Sequence, residues 1–436
     1  MADTGTDAGA GSIPPEELAR VRRRTIWVLS IGQVLGGIAF GATISLGAVL
    51  AAEISGDEAF SGLATAFITL GAAALAVPLA AFARRRGRRI SLASGMLLAL
   101  AGVAVVVLAA AVVSFPLLLL AFALIGAGQA ANLQTRFAAA DLATDASRGR
   151  DLSIVVWATT IGAVLGPNLV GPGEIVGEAI GMPPLTGPYV FAVVAQLAAI
   201  AVYLIGLRPD PLLLAQRIAR AVANGANAIA RADRPLAARY AIIAIAGAHG
   251  VMVAVMAMTP VHLLHHGASL TIIGLTISLH VAGMFALSPV FGILADRVGR
   301  VATILLGQVL LAASLVLAAI GQDSATTVTV ALVLLGLGWS ASTVSGSALL
   351  TESSSEALRT RRQGRSDLIM NLVAAVGAIL AGIILGQIGY GGLALCALSI
   401  VVVVTGLSFL GKSAKPQPAE ISASKPPAHR PRPARR

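Results

Sequence analysis

The stretch "FGILADRVGR", Phe291 to Arg300, ends a long apolar run in a short charged knot. Asp296, Arg297 and Arg300 follow Gly292 within a few residues, with Gly299 between the two arginines. An echo stands earlier in "AAFARRRGRR", Ala80 to Arg89. At a constant offset of 212, Arg85, Gly87 and Arg88 match Arg297, Gly299 and Arg300, while Arg84 occupies the place of the acid. Each knot separates two apolar runs near the ~20 residues that a membrane-spanning helix needs. That pattern decides the fold class.

Composition agrees. Hydrophobic residues make up 57% of the 436 and charged ones 12%, about half the charged share of an ordinary soluble domain. No soluble arrangement has polar surface enough to cover such a chain, so its solvent is lipid. Twelve spans are read, near 26–52, 60–83, 90–111, 116–140, 152–172, 187–207, 238–262, 270–294, 302–321, 326–349, 367–387 and 390–411. They are too long and too continuously apolar for barrel strands, and hydrocarbon leaves helices as the remaining way to satisfy the backbone. The expected fold is therefore an all-α integral membrane protein of twelve helices.

Arginine fixes the expected orientation. With the N-terminus inside, the inner segments collect Arg20–Arg24, Arg84–Arg89, Arg148, Arg150, the segment from Arg208 to Arg239, Arg297, Arg300 and Arg359–Arg365. The outer loops hold Glu53, Asp57, Glu58, Glu174, Glu178 and Asp323, and no Lys or Arg. The positive-inside rule then predicts a multi-pass protein of the plasma (inner) membrane with both termini cytoplasmic. The net charge of +11 reads as topology and contact with anionic headgroups of the bilayer, with no nucleic-acid role.

Five segments are expected: an N-terminal tail (1–25), a six-span bundle (26–207), a central loop (208–236), a second six-span bundle (237–411) and a basic, Pro-rich, disordered tail (412–436). The start is polar and acidic, unlike a signal peptide. In the central loop Arg217, Arg220, Asn224, Asn227 and Arg231 recur every three or four residues between Leu214, Ile218, Val222 and Ile229, predicting an amphipathic surface helix. A single Cys396 provides no disulfide framework.

The two bundles are repeats. "RGRDLSIVVWATTIGAVLG" from Arg148 aligns with "QGRSDLIMNLVAAVGAILAG" from Gln363 at an offset of 215. Gly149 then meets Gly364, Arg150 meets Arg365, Gly162 meets Gly377, and Asp141 meets Glu356. Parallel six-span repeats are an architecture of alternating-access transporters. On these residues the chain resembles the major facilitator superfamily, whose loop signature G-x-L-A-D-R-x-G-R is matched throughout by Gly292 to Arg300. The resemblance implies two pseudo-symmetric bundles and an inner gate. In it Asp296 would face the start of the fifth span near Leu152, beside Arg148 and Arg150, because a helix N-terminus attracts a carboxylate. In the first half the polarity is inverted, so Arg84 or Arg85 is expected to pair with Asp367. Arg136, Asp141, Arg148, Arg150, Glu356 and Arg365 resemble the acid–arginine network that locks one conformation, with Arg136 expected beside Asp141.

"GAVLGPNLVG" resembles the antiporter motif of drug exporters in the same superfamily, with Gly162, Gly166, Pro167 and Gly171 in place and Val170 where that motif has glycine. Polar residues near mid-span are candidates for substrate or proton contact: Gln33, Gln129, Asn132, Asn168, His249 and His280. No Asp or Glu falls at central depth, leaving histidine as the proton carrier. His262, His265 and His266 cluster at an outer end without Cys or acid partners, and no metal site is assigned. Nor is there a zinc-protease motif, a phosphate-binding lysine loop or a cofactor motif. The expected protein is a monomeric, non-enzymatic secondary transporter without cofactors. It moves a small lipophilic or drug-like solute outward against protons. The alternatives are an uptake permease for a small metabolite and a transport-inactive receptor or scaffold.

Overall fold

The computed structural model describes residues 14–57, 60, 62–224 and 233–412. Its first half holds α1 (Pro15–Ser55), α2 (Leu63–Ala111), α3 (Phe115–Ala140), α4 (Arg148–Asn168), α5 (Val170–Ala179) and α6 (Tyr189–Gly206). Helix α7 (Pro211–Asn224) leads to the second half: α8 (Pro235–His265), α9 (Leu270–Phe285), α10 (Ser288–Val298), α11 (Arg300–Ile320), α12 (Ala325–Glu352), α13 (Glu356–Gly406) and α14 (Ser408–Lys412). No strand occurs among the described residues.

Length alone shows that some helices fold back. The 49 residues of α2 would extend about 75 Å at 1.5 Å per residue, more than twice a ~30 Å hydrocarbon core. The reversal comes at Gly87, with φ 88° and ψ 169°. Across it, the Ser91 hydroxyl donates to the Leu79 carbonyl at 2.7 Å. Gly299, its repeat counterpart, joins α10 to α11 at φ 115° and ψ 151°. L side chains resist that backbone region, so glycine is what lets each charged knot turn the chain. Helix α13 reverses likewise at Gly389, φ 74°.

Nine described helices are long and apolar enough to cross a membrane. Two of them, α2 and α13, contain two crossings each, and α4 continued by α5 supplies another. The fold is thus all-α, with twelve crossings in two six-helix bundles. Two crossings read as continuous are broken. Proline at the start of α10 withholds a backbone donor and separates it from α9, and Leu169 separates α4 from α5.

Each bundle has its own apolar core. Phe122, Ile68, Val103 and Tyr189 centre the first; Val251, Leu311, Leu335 and Tyr390 centre the second. Leu, Ile and Val on the outer faces stay exposed, Ile320 at 79% and Ile175 at 71%, as a lipid-facing surface requires. Asp210 caps α7, accepting from the Leu212 and Leu213 N–H groups at 3.0 and 3.2 Å. The same carboxylate accepts from Arg89 N–H at 2.7 Å, fastening α7 to the turn at Gly87. Arg217 and Arg220 of α7 are exposed. Asn227, Ile229 and Arg231 of the expected surface helix, Glu58, and the terminal tails before 14 and after 412 lie outside the described residues.

Candidate functional site

At the arginine-rich end of the molecule the two bundles meet through side chains that the charged knots deliver. Helix α10 carries Asp296 to the first turn of α4. There its carboxylate accepts from the Gly149 N–H at 2.9 Å and the Arg150 N–H at 2.8 Å. Helix starts leave such donors unsatisfied and carry partial positive charge, so one carboxylate meets both needs. Close approach depends on paired glycines: a Cβ on Gly292 would lie 2.5 Å from the Gly149 carbonyl, and one on Gly149 2.5 Å from that of Gly292. Arg300 pairs with Asp296 one turn away. It also reaches Glu352 at 3.2 Å and, across the bundle boundary, the Asp145 carbonyl at 2.7 Å. Arg297 is exposed.

The first half repeats the device with different letters. Arg88 is fully buried and donates to Asp141 at 2.9 and 3.3 Å, then across the boundary to Gln363 Oε1 at 2.7 Å. In each half the arginine that directly follows the knot's glycine thus holds an acid at the end of a neighbouring helix of its own bundle. Its Nη2 reaches the opposite bundle.

The structure corrects several pairings. Asp367 is held by Arg136 of α3, at 2.5 Å with both groups buried. Arg84 and Arg85 are exposed instead, because they precede the hinge on its outward side. Arg136 therefore does not pair with Asp141, which Arg88 occupies. Arg148 pairs with Asp145 at 2.8 Å, Glu356 with Arg359 at 3.1 Å, and Arg365 is exposed. Arg150 lies 3.6 Å from Asp151, which Arg22 of α1 holds at 2.5 Å. Glu352, Gln363 and Asp210 were not singled out in the sequence. The clue to Glu352 is that it ends α12 as Asp141 ends α3, an offset close to that of the knots. A further hydrogen bond between the bundles runs from Ser288 Oγ to the Ser153 carbonyl at 3.1 Å. Phe137 adds an apolar plug against Tyr240, Ile304 and Leu350.

Above this closure lies a set of buried polar groups. Gln33 donates to Thr159 at 2.9 Å and accepts from Thr135 at 2.6 Å, tying α1, α3 and α4. Gln129 and Asn132 are half-buried, with carbonyl oxygens that have no described partner. They border a void of about 10 Å³, room for about one water. From the second bundle, His249 accepts from Trp339 Nε1 at 2.9 Å, and Asn371 bonds the Asp367 carbonyl at 2.8 Å. Asn371 Oδ1, Thr160 Oγ1 and Thr343 Oγ1 are buried without a described partner. Unsatisfied buried atoms in such number are places where water or a ligand completes the bonding. His280 is packed elsewhere, fully buried with its ring bonded to the Leu332 carbonyl at 2.8 Å. Asn168 is exposed.

Gly162 and Gly166 place α4 directly on α1. A Cβ on Gly162 would stand 2.6 Å from the Val34 carbonyl, and one on Gly166 2.7 Å from Gly41 Cα. Gly171 faces open space, and the side chain of Pro167 lies outside the described residues. At the opposite end of α8, His262 stacks on Tyr390 with centroids 4.2 Å apart, and His266 stands 3.5 Å from Asp323. No group of metal-ligating side chains occurs among the described residues.

Comparison with known proteins adds lineage. The family model described as Major Facilitator Superfamily matches residues 29–269 and 242–435. An uncharacterized MFS-type transporter of Bacillus subtilis (strain 168), YddS, is 38% identical over 384 residues, 86% of this chain and 88% of that protein. The riboflavin transporter RfnT of Brucella anthropi is 32% identical over 383 residues, 85% and 92% of the two chains. Among solved structures, the human organic anion transporter MFSD10 (TETRAN) superposes with a TM-score of 0.71 at 17% identity, covering 91% of this chain and all of that one. A fucose transporter, FucP, in the outward conformation gives 0.62 at 15% identity, covering 88% and 98%.

Proposed function

The chain belongs to the Major Facilitator Superfamily, and on that premise we propose that it is a proton-coupled secondary transporter exporting a small, largely apolar solute by alternating access. The observation that carries the coupling is the buried Arg136–Asp367 pair. It crosses between bundles four residues from Asn132 on α3 and four from Asn371 on α13, next to Thr135, which donates to Gln33. Breaking a buried pair costs about 3–5 kcal/mol because one charge is stranded. A proton taken up by Asp367 removes its charge, frees Arg136 and loosens the closure below the solute. The proton carrier of this reading is Asp367, in place of His280, whose ring is committed to packing between α9 and α12.

In this reading the arginine-rich closed end faces the cytoplasm, as the positive-inside rule expects. Asp296, Gly292, Gly299, Arg300, Gly87, Arg88 and Asp141 form its inner gate. Arg148, Arg150 and Glu356 support the ends of the gating helices. Export rests on the glycine crossing of α4 on α1 and its likeness to the exporters' motif. A second reading, uptake of a flavin-like metabolite, is favoured by the relative RfnT.

Purified protein in liposomes with an internal pH dye tests both readings, with lipophilic cations and riboflavin as separate solutes. Proton movement against a cation gradient supports export, and riboflavin accumulation without it supports the second reading. Solute flux indifferent to the proton gradient sinks the coupling.

A further inference from the structure

From Gly37–Gly162 toward the basic end, α1 and α4 diverge and leave a groove of about 730 Å³. Its walls are apolar, and two tryptophans stand in it, Trp27 at 66% and Trp157 at 41% exposure. Its mouth carries Arg22, Arg23, Arg150 and Asp151. Asp151 is held by Arg22 at 2.5 Å and lies 3.6 Å from Arg150; three arginines against one acid leave the mouth net positive, with Arg23 and Arg150 exposed. The glycine crossing closes the groove's far end. On α4, the residues facing the other bundle (Leu152 and Val156) pack against Val344, and the groove opens on the opposite, outer flank.

We propose that this groove is a binding site for one anionic phospholipid of the leaflet at the basic end. The geometry is that of such a molecule. An acyl chain lies along Ile31, Val34 and Ile161, the tryptophans sit at headgroup depth where their amphipathic rings belong, and the phosphate is gripped by Arg23 and Arg150. Arginine suits that role because its planar fork meets two phosphate oxygens at once. A zwitterionic lipid fills the apolar part equally well but offers the arginines no net charge. Selectivity therefore resides in the headgroup.

The chain's own fluorescence reads the site. Of three tryptophans, two line the groove, while Trp339 is buried between helices. Full-length protein in phosphatidylcholine nanodiscs is doped with phosphatidylglycerol whose acyl chains carry bromine, or with equally brominated phosphatidylcholine. Half-maximal quenching is expected at a several-fold lower mole fraction for the anionic lipid, and unlabelled phosphatidylglycerol should reverse it. The doubly substituted Arg23→Gln, Arg150→Gln protein should lose the preference. Should that variant misfold, wild type in 0.5 M salt serves, where screening of an exposed headgroup contact is expected to cut the preference. Equal quenching by both lipids means ordinary boundary lipid and overturns the proposal. So does a preference that survives both the double substitution and high salt. Displacement of the brominated lipid by a lipophilic cation but not by phosphatidylglycerol would overturn it too, making the groove a side entrance for solute.

Discussion

At the scale of single residues, the most consequential group is Asp367. Replacing it with Asn strands Arg136 in a buried setting, a loss of about 3–5 kcal/mol in the closed state. We expect Asp367→Asn to abolish proton movement coupled to solute while retaining exchange of solute for solute, measured in the same liposomes with and without a pH gradient. Arg84→Ala and Arg85→Ala, on exposed sites, should change neither. This corner of the protein is where the sequence was least legible. The motifs name the charged residues, but the partner of a side chain depends on helix rotation, which an apolar stretch barely specifies. Arg136 lies five residues from Asp141 in sequence yet points across to α13. Glu352 was hidden because the two repeats drift by a few residues between the knots and the following helices, so a single offset selects Glu356 instead.

Among the elements, α4 serves both the closure and the bundle: its first turn receives Asp296, and its middle lies on α1. Gly162→Leu should be severe, since the nearest atoms are backbone and cannot move aside. Loss of folded yield, or a melting temperature lowered by several degrees in detergent, is the expected outcome. Gly171→Leu, facing open space, should be tolerated in the same assay. A second clip joins the segment before α8 to α13, where Asp233 accepts from Arg362 at 2.6 and 2.7 Å. The Arg362 hydrogen bonds hold the Asp233 carboxyl below its ordinary 3.8, with the Ser355 N–H assisting and partial burial opposing. Its contribution is therefore present above that ordinary value and is lost as pH falls through the depressed one. Melting temperatures of wild type and Asp233→Asn should differ by a degree or two at pH 6 and converge as the medium is acidified toward that depressed value. The helices themselves were plain in the sequence, because twenty apolar residues and a glycine between arginines carry their meaning locally. The break between α9 and α10 was less so, as both sides of it are apolar.

For the whole molecule, the two halves close one end with matched devices, Arg300 reaching to Asp145 and Arg88 to Gln363. Asp296 belongs to one half alone; on the other side the buried Arg136–Asp367 pair crosses between the bundles. Asp296→Asn keeps the shape but removes charge facing a helix start, worth about 0.3–2 kcal/mol. A cysteine placed near the closure should then react with an impermeant thiol reagent from that side roughly two- to thirty-fold faster. The glycine-lined contact between Gly149 and Gly292 has a further consequence. It is dry when shut, and the amide hydrogens that Asp296 satisfies must be handed to solvent when it parts. Opening is thus a hydration event, and its equilibrium belongs partly to water activity. An excluded osmolyte such as sucrose or a large polyethylene glycol, presented on that face, should hold the transporter shut. A cell drawn down by desiccation would find this gate stiffening before any solute or proton had changed.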